Sequence, residues 1–148
     1  MHKFLAALLI GVLLLGACSR KDNKADKEIG LSSITDTKVM QYAVQGKTLY
    51  EMHCANCHQK NGKGLGKVIP PLNPSDYMLE DIPRTVRLIR YGLKGEIVVN
   101  GVTYNRAMPG NPQLTPLEIA QISTYIYNVW GHSEGLIHVN DVVEYLKD

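Results

Sequence analysis

Apolar and polar positions change period along the chain, and the changes mark the elements. Val39, Tyr42, Ala43, Gly46, Leu49 and Tyr50 recur at steps of three and four, the spacing of one face of an α-helix. That helix is expected to begin near Thr37 and run into Cys54. Asn73-Pro74-Ser75-Asp76 has the form of a helix start, with Asn73 as N-cap and proline in the first turn, and predicts a short helix to about Leu79. Pro83 opens the next helix, with Val86, Ile89 and Leu93 on one face and Gly92 near its end. The period shortens over residues 96–104, where Asn100-Gly101 sits between β-branched residues and predicts a small hairpin, with an irregular loop as the alternative. Thr115-Pro116-Leu117-Glu118 combines a capping box with proline at the first helical position. Ile119, Ile122, Tyr125, Ile126 and Val129 follow on one face, and Gly131 is the stop. Val139, Val142, Val143 and Leu146 allow one further short helix.

The first residues follow a different pattern. Lys3 precedes an unbroken apolar run from Phe4 to Leu15, too short to span a bilayer as a stable helix and suited to a secretion signal over residues 1–17. The run ends Leu15-Gly16-Ala17-Cys18, which resembles a bacterial lipobox. In such signals the cysteine is lipidated and becomes the new first residue, so Cys18 would anchor the protein to a membrane. An ordinary secretory signal with a leftover thiol is the rival reading. Residues 18–36 are polar, carry both signs of charge and read as a flexible tether, whose reach is about 25 Å. The expected organisation is therefore signal 1–17, tether 18–36, folded domain 37–131 and C-terminal extension 132–148. The expected location is an exported, membrane-anchored lipoprotein facing the periplasm or cell exterior.

The chemistry concentrates in Cys54-Ala55-Asn56-Cys57-His58. Two cysteines separated by two residues and followed by histidine suit covalent attachment of a c-type haem. Each thiol adds to one vinyl group, and the imidazole of His58 is then placed to bind iron. The motif occurs once, so one haem c is expected. A structural zinc site is an alternative, but it needs four ligands and the motif offers three. A thioredoxin-like pair would lie at a helix start after a strand, whereas Cys54 ends a helical pattern.

Gly46 and Tyr50, eight and four residues before Cys54, together with the cysteine–histidine motif, resemble the N-terminal helix of a class I cytochrome c. The resemblance extends over residues 39–131. It implies a mostly α fold of about four short helices round one haem, with the hairpin as a small addition. It implies that Gly46 and Tyr50 meet an aromatic of the last helix, with Tyr125 the choice and Tyr127 next. After the motif that family has a glycine-rich loop and a proline loop, here Gly62, Gly64 and Gly66 and then Pro70-Pro71-Leu72. A carbonyl at Pro70, or else Pro71, would accept the other ring N–H of His58 and fix its orientation. The family's second axial ligand is a methionine, commonly before proline and shortly ahead of the last helix. Met108-Pro109 fits, with Met78 as the alternative. Thioether ligation favours Fe(II) and closes the sixth position. Arg84, Arg87 and Arg90 are expected on a solvated helix face, with haem propionates the alternative. Trp130 is open between a propionate contact and packing.

Composition adds restraint. The chain has 148 residues, 45% of them hydrophobic, and a formal net charge of +2. One domain is expected, and no aromatic-interleaved basic patch points to nucleic acid. No nucleophile elbow or phosphate loop is present. The expected role is a membrane-tethered monohaem carrier of single electrons and not an enzyme in its own right. Lys47, Lys60, Lys63 and Lys67 around the motif would form a docking surface for an acidic redox partner, or serve solubility alone. A cytochrome subunit of a larger dehydrogenase or terminal reductase, docking through residues 132–148, is the second reading. An open-site haem enzyme or gas sensor is the third.

Overall fold

A computed structural model describes residues 30–147. The signal, Cys18 and most of the expected tether lie outside the described residues. Two long helices cross at the centre of the fold. Helix α1 (Thr37–His53) starts where Asp36 accepts the Val39 N–H at 2.8 Å, and it buries Val39, Ala43, Gly46 and Tyr50. Helix α5 (Pro116–Ile126) starts at the expected capping box, in which the Thr115 hydroxyl accepts from the Glu118 backbone and the Glu118 carboxylate accepts from the Thr115 N–H. The helices meet at Gly46, where an added Cβ would lie 1.9 Å from the Gln121 carbonyl oxygen. Only a residue without a side chain permits that approach. The helix-propensity cost of the glycine, about 0.8–1 kcal/mol, is offset by the packing it allows.

Helix α5 is buried on more than the one face the periodicity predicts, since Ala120, Ser123 and Thr124 are buried as well. The reason is the C-terminal segment. Helix α6 (Val139–Tyr145) packs on α5 and on helix α4 (Ile82–Tyr91), with Val142 fully buried and Ile137 beside it in the core. Asn128 bonds both the N–H and the carbonyl of Gly135, at 2.9 and 2.7 Å, and the Ile137 N–H reaches Thr124 Oγ1 at 3.1 Å. Much of residues 132–147 is therefore part of the body, and its apolar side is committed inward. Val143 is exposed. At the other end, Leu31 and Ile34, inside the expected tether, pack against the cluster around Tyr50 and Tyr125.

Helix α2 (Ala55–His58) is a single turn after α1. Helix α3 (Asp76–Glu80) begins later than the sequence pattern suggests: Ser75, not Asn73, is its N-cap, accepting from the Met78 N–H at 3.1 Å. The Asn73 amide is committed elsewhere, donating to the Asn61 carbonyl at 3.0 Å. Helix α4 is capped by Asp81 and ends at Gly92, so Leu93 leaves the helix for strand β1 (Gly92–Leu93). Strands β2 (Ile97–Val99) and β3 (Val102–Tyr104) form the expected hairpin, its turn made by Asn100 and Gly101, both at positive φ. Strand β4 (Met108–Pro109) then pairs antiparallel with β1, Leu93 opposite Met108. The described architecture is mostly helical, with six α-helices and these two small ribbons.

Candidate functional site

A largely apolar cleft with a cavity volume of about 260 Å³ brings together Cys54, Cys57, His58, Pro70, Pro71, Met78 and Met108. Helix α1 delivers Cys54 at its end, where the Cys54 N–H still bonds the Tyr50 carbonyl at 2.9 Å. The turn of α2 then folds back on it, with the N–H groups of Cys57 and His58 donating to the Cys54 carbonyl at 3.1 and 2.9 Å. The Tyr50 hydroxyl fixes the end of that turn by donating to the Gln59 carbonyl at 2.7 Å. Its ring packs on Tyr125 and on Trp130, with centroids 5.4 and 5.8 Å away. Tyr125 thus makes the contact with α1. Tyr127 turns instead toward the base of α3, bonding the Met78 carbonyl and lying 3.0 Å from Thr85 Oγ1. Trp130 covers Gly62 and packs on Tyr50 and Tyr125.

His58 is buried, and its Nδ1 lies 3.1 Å from the Pro70 carbonyl. A carbonyl only accepts, so Nδ1 carries the proton and Nε2 keeps its lone pair. Burial lowers the imidazole pKa, opposed by the bond to Pro70. The ring is therefore neutral near pH 7, as a metal-binding imidazole must be. Pro70 rather than Pro71 supplies the carbonyl. Gly64 makes that position reachable: it has φ +67°, and an added Cβ would lie 2.3 Å from the Ile69 oxygen and 2.7 Å from the Pro70 oxygen. Burial first, and then the neighbouring Cys57, push the Cys54 thiol up to about 12. Cys57 is exposed.

Of the two methionines at the cleft, Met78 is 2% exposed and packs within the cluster of Ala43, Tyr50 and Ile126. Met108 is half-buried and outside that cluster, its backbone held by the β1–β4 pairing. His53, His132 and His138 do not line the cleft. Among the described residues no group of three or more His, Cys, Asp or Glu is gathered to hold a metal ion, and the zinc alternative gains no support.

The arginines are not simply solvated. Arg84 stacks over Tyr77 with 3.8 Å to the ring centroid and bonds the Tyr77 carbonyl; Arg87 reaches the Tyr145 carbonyl at 3.4 Å; Arg90 bonds the Pro112 carbonyl. They tie segments together. Arg106, which no motif marked, is the arginine that lines the cleft. Ile97, Val99 and Tyr104 of the hairpin line it too. The hairpin turn was legible, but its position over the cleft depends on long-range packing.

Comparison with known proteins agrees with this geometry. The chain belongs to the cytochrome c family, whose model matches residues 43–130. It is 35% identical over 85 residues to cytochrome c-552 of Thermus thermophilus, covering 55% of this chain and 65% of that protein. It is 30% identical over 110 residues to the cytochrome c subunit of a quinone alcohol dehydrogenase from Gluconacetobacter polyoxogenes, covering 72% of this chain and 23% of that subunit. Cytochrome c-555 of Prosthecochloris aestuarii is 27% identical over 97 residues, 65% of this chain and 97% of that protein. The chain thus spans just under two thirds of the length of the Thermus relative. Membership implies covalently bound haem c, and Cys54, Cys57 and His58 form its attachment motif. The residues present fit that group: both sulfurs border one apolar cleft, a neutral imidazole has its lone pair free, and a thioether borders the same space.

Proposed function

We propose that this protein is a membrane-anchored carrier of single electrons, in which His58 and Met108 would ligate the haem iron. The bound haem c supplies a one-electron couple. The chain does the rest. Cys54 and Cys57 tether the group, and the Pro70 carbonyl orients His58 and raises its basicity. The apolar lining excludes water, which favours the less charged reduced state. Met108 would offer the iron a soft neutral thioether, so no substrate needs to bind there. The observation that carries this reading is the presence of Met108 in the same cleft as the cysteine–histidine motif, on a strand whose backbone is already paired.

Lys60, Lys63 and Lys67 are exposed close to the motif, beside exposed Leu65 and Val68, and Lys47 is exposed on α1. That combination suits a weak, steered encounter with an acidic redox partner, fast at low salt and slower as salt is raised. Lipidated Cys18 is the proposed anchor, on the strength of Leu15-Gly16-Ala17-Cys18. It places the protein at a membrane, facing the periplasm or cell exterior, and intact mass of the mature protein tests it.

The test of the carrier reading is redox titration followed by carbon monoxide. A reversible one-electron transition, a Met–iron band in the oxidised spectrum and only slow CO binding when reduced are expected. Ready CO binding would instead favour an open-site enzyme or sensor. Similarity to a dehydrogenase cytochrome subunit over 110 residues supports the second reading, a subunit of a larger complex. Native electrophoresis of solubilised membranes separates the two: a small haem-stained band fits the carrier, a large one the subunit.

A further inference from the structure

Three hydrogen bonds, two of them reciprocal, join parts of the chain far apart in sequence. The Asn100 N–H donates to Asp76 Oδ1 at 2.7 Å, the Asp76 N–H donates to Asn100 Oδ1 at 3.1 Å, and Asn100 Nδ2 donates to the Pro74 carbonyl at 2.8 Å. Asn100 is the tip of the hairpin, and Asp76 is the first residue of α3. On the hairpin's returning strand, the Tyr104 hydroxyl reaches the Gly66 carbonyl of the glycine-rich loop at 3.4 Å. Between these fastenings, Val99 and Tyr104 turn inward, 1% and 7% exposed, and both line the cleft with Ile97. From Tyr104 only three residues lead to Met108. The hairpin is therefore fastened at its tip and on its returning strand, lines the cleft with Ile97, Val99 and Tyr104, and sets where the strand bearing Met108 begins.

We infer that hairpin β2–β3 is a latched strap across the haem cleft, and that Asp76 and Asn100 are the positioning residues that hold it. The inference rests on the reading of Met108 as iron ligand only for what the strap protects. Both latch side chains are exposed, so water competes for every bond and the latch opens and recloses readily. While it is closed, the apolar side chains of the hairpin stay over the cleft and the path to Met108 stays short. When it opens, the ligand strand loses one of its supports and external molecules reach the iron side of the cleft.

The test uses the haem-loaded protein and three variants. Asp76→Ala removes the acceptor for the Asn100 N–H. Asp76→Asn keeps an Oδ1 acceptor at the same position. Asn100→Gly removes the side chain but suits the positive φ of the turn, 50° at this residue. The readouts are the rate of CO binding to reduced protein, the pH at which the Met–iron band disappears, and hydrogen exchange of the residue-100 amide. Asn100→Gly, which loses two of the three latch bonds, is expected to speed CO binding roughly tenfold, and Asp76→Ala, which loses one, roughly threefold. Both should also lower the pH at which the band disappears and raise exchange at residue 100, while Asp76→Asn stays near the parent. Parent-like values in Asp76→Ala and Asn100→Gly overturn the inference, as does Asp76→Asn behaving like Asp76→Ala. A parent protein that lacks the band and binds CO at once refutes Met108 ligation separately. The strap then stands or falls on amide exchange and on the ratio of CO rates.

Discussion

The two stretches that border the haem cleft are built on different principles. The segment 37–72, which carries Cys54, Cys57 and His58, is fastened by the core of the molecule. Its helix meets α5 at Gly46 with no room for a methyl group, and fully buried Tyr50 joins the crossing to the haem motif. The segment 92–110, which carries Met108, is fastened by two ribbons of two and three residue pairs and by an exposed polar latch. A fully buried large side chain contributes about 1.5–3 kcal/mol, whereas an exposed hydrogen bond contributes about 0.5–1.5 kcal/mol at most. The histidine side should therefore move only when the protein unfolds. The methionine side has the freedom to change without unfolding, so under the proposed ligation by Met108 it is where potential and ligand access would be adjusted.

Substitutions on each side sharpen that contrast. Gly46→Val should be the most damaging, because the new side chain meets the Gln121 backbone and the Tyr125 Cβ. A loss of about 3 kcal/mol or more, read by denaturant unfolding, is expected, and a protein of parental stability would break the account of the crossing. Gly64→Ala should cost about 1–3 kcal/mol and also disturb His58 through the displaced Pro70 carbonyl, visible in the haem-histidine spectrum. Met108→Ala should cost about 1–2 kcal/mol yet leave haem attached and the helical signal intact. Its potential should fall by on the order of 0.1 V or more, within the roughly 0.8 V that axial ligation spans, and the reduced protein should bind CO. Unchanged spectra would remove Met108 from the iron.

The smallest effect concerns Tyr127, whose buried hydroxyl is pushed up to about 12 from 10.0, chiefly by burial. Folding favours its neutral form. Its contribution is therefore complete below pH 10 and is lost as pH rises through about 12. Tyr127→Phe should cost about 1 kcal/mol at neutral pH and flatten part of the decline in stability between pH 10 and 12. Buried Tyr50 shifts in the same direction, so some decline should persist in the variant.

The same contrast explains what the chain revealed before folding. The helices α1, α4 and α5, the capping box and the hairpin turn depend on local spacing, and residue patterns carry them. Gly46 stood out because a glycine inside a helix is costly unless another helix comes close, whereas Tyr50 was placed by the resemblance of its offset from Cys54. Other features depend on which groups happen to compete. Asn73 and Ser75 are both good caps, and only the commitment of Asn73 to Asn61 decides for Ser75. The three arginines of α4 look solvated by period, but each finds a carbonyl brought near by a distant segment. The latch between Asp76 and Asn100, the place of Arg106 at the cleft and the inward commitment of residues 132–147 arise from tertiary packing and have no local signal.

The most direct measurement is peptide mass spectrometry of the matured protein after treatment with an alkylating reagent. One haem on the peptide containing Cys54 and Cys57, with neither sulfur alkylated, is the expected result. A peptide of unmodified mass whose two thiols both react would contradict the account at its root.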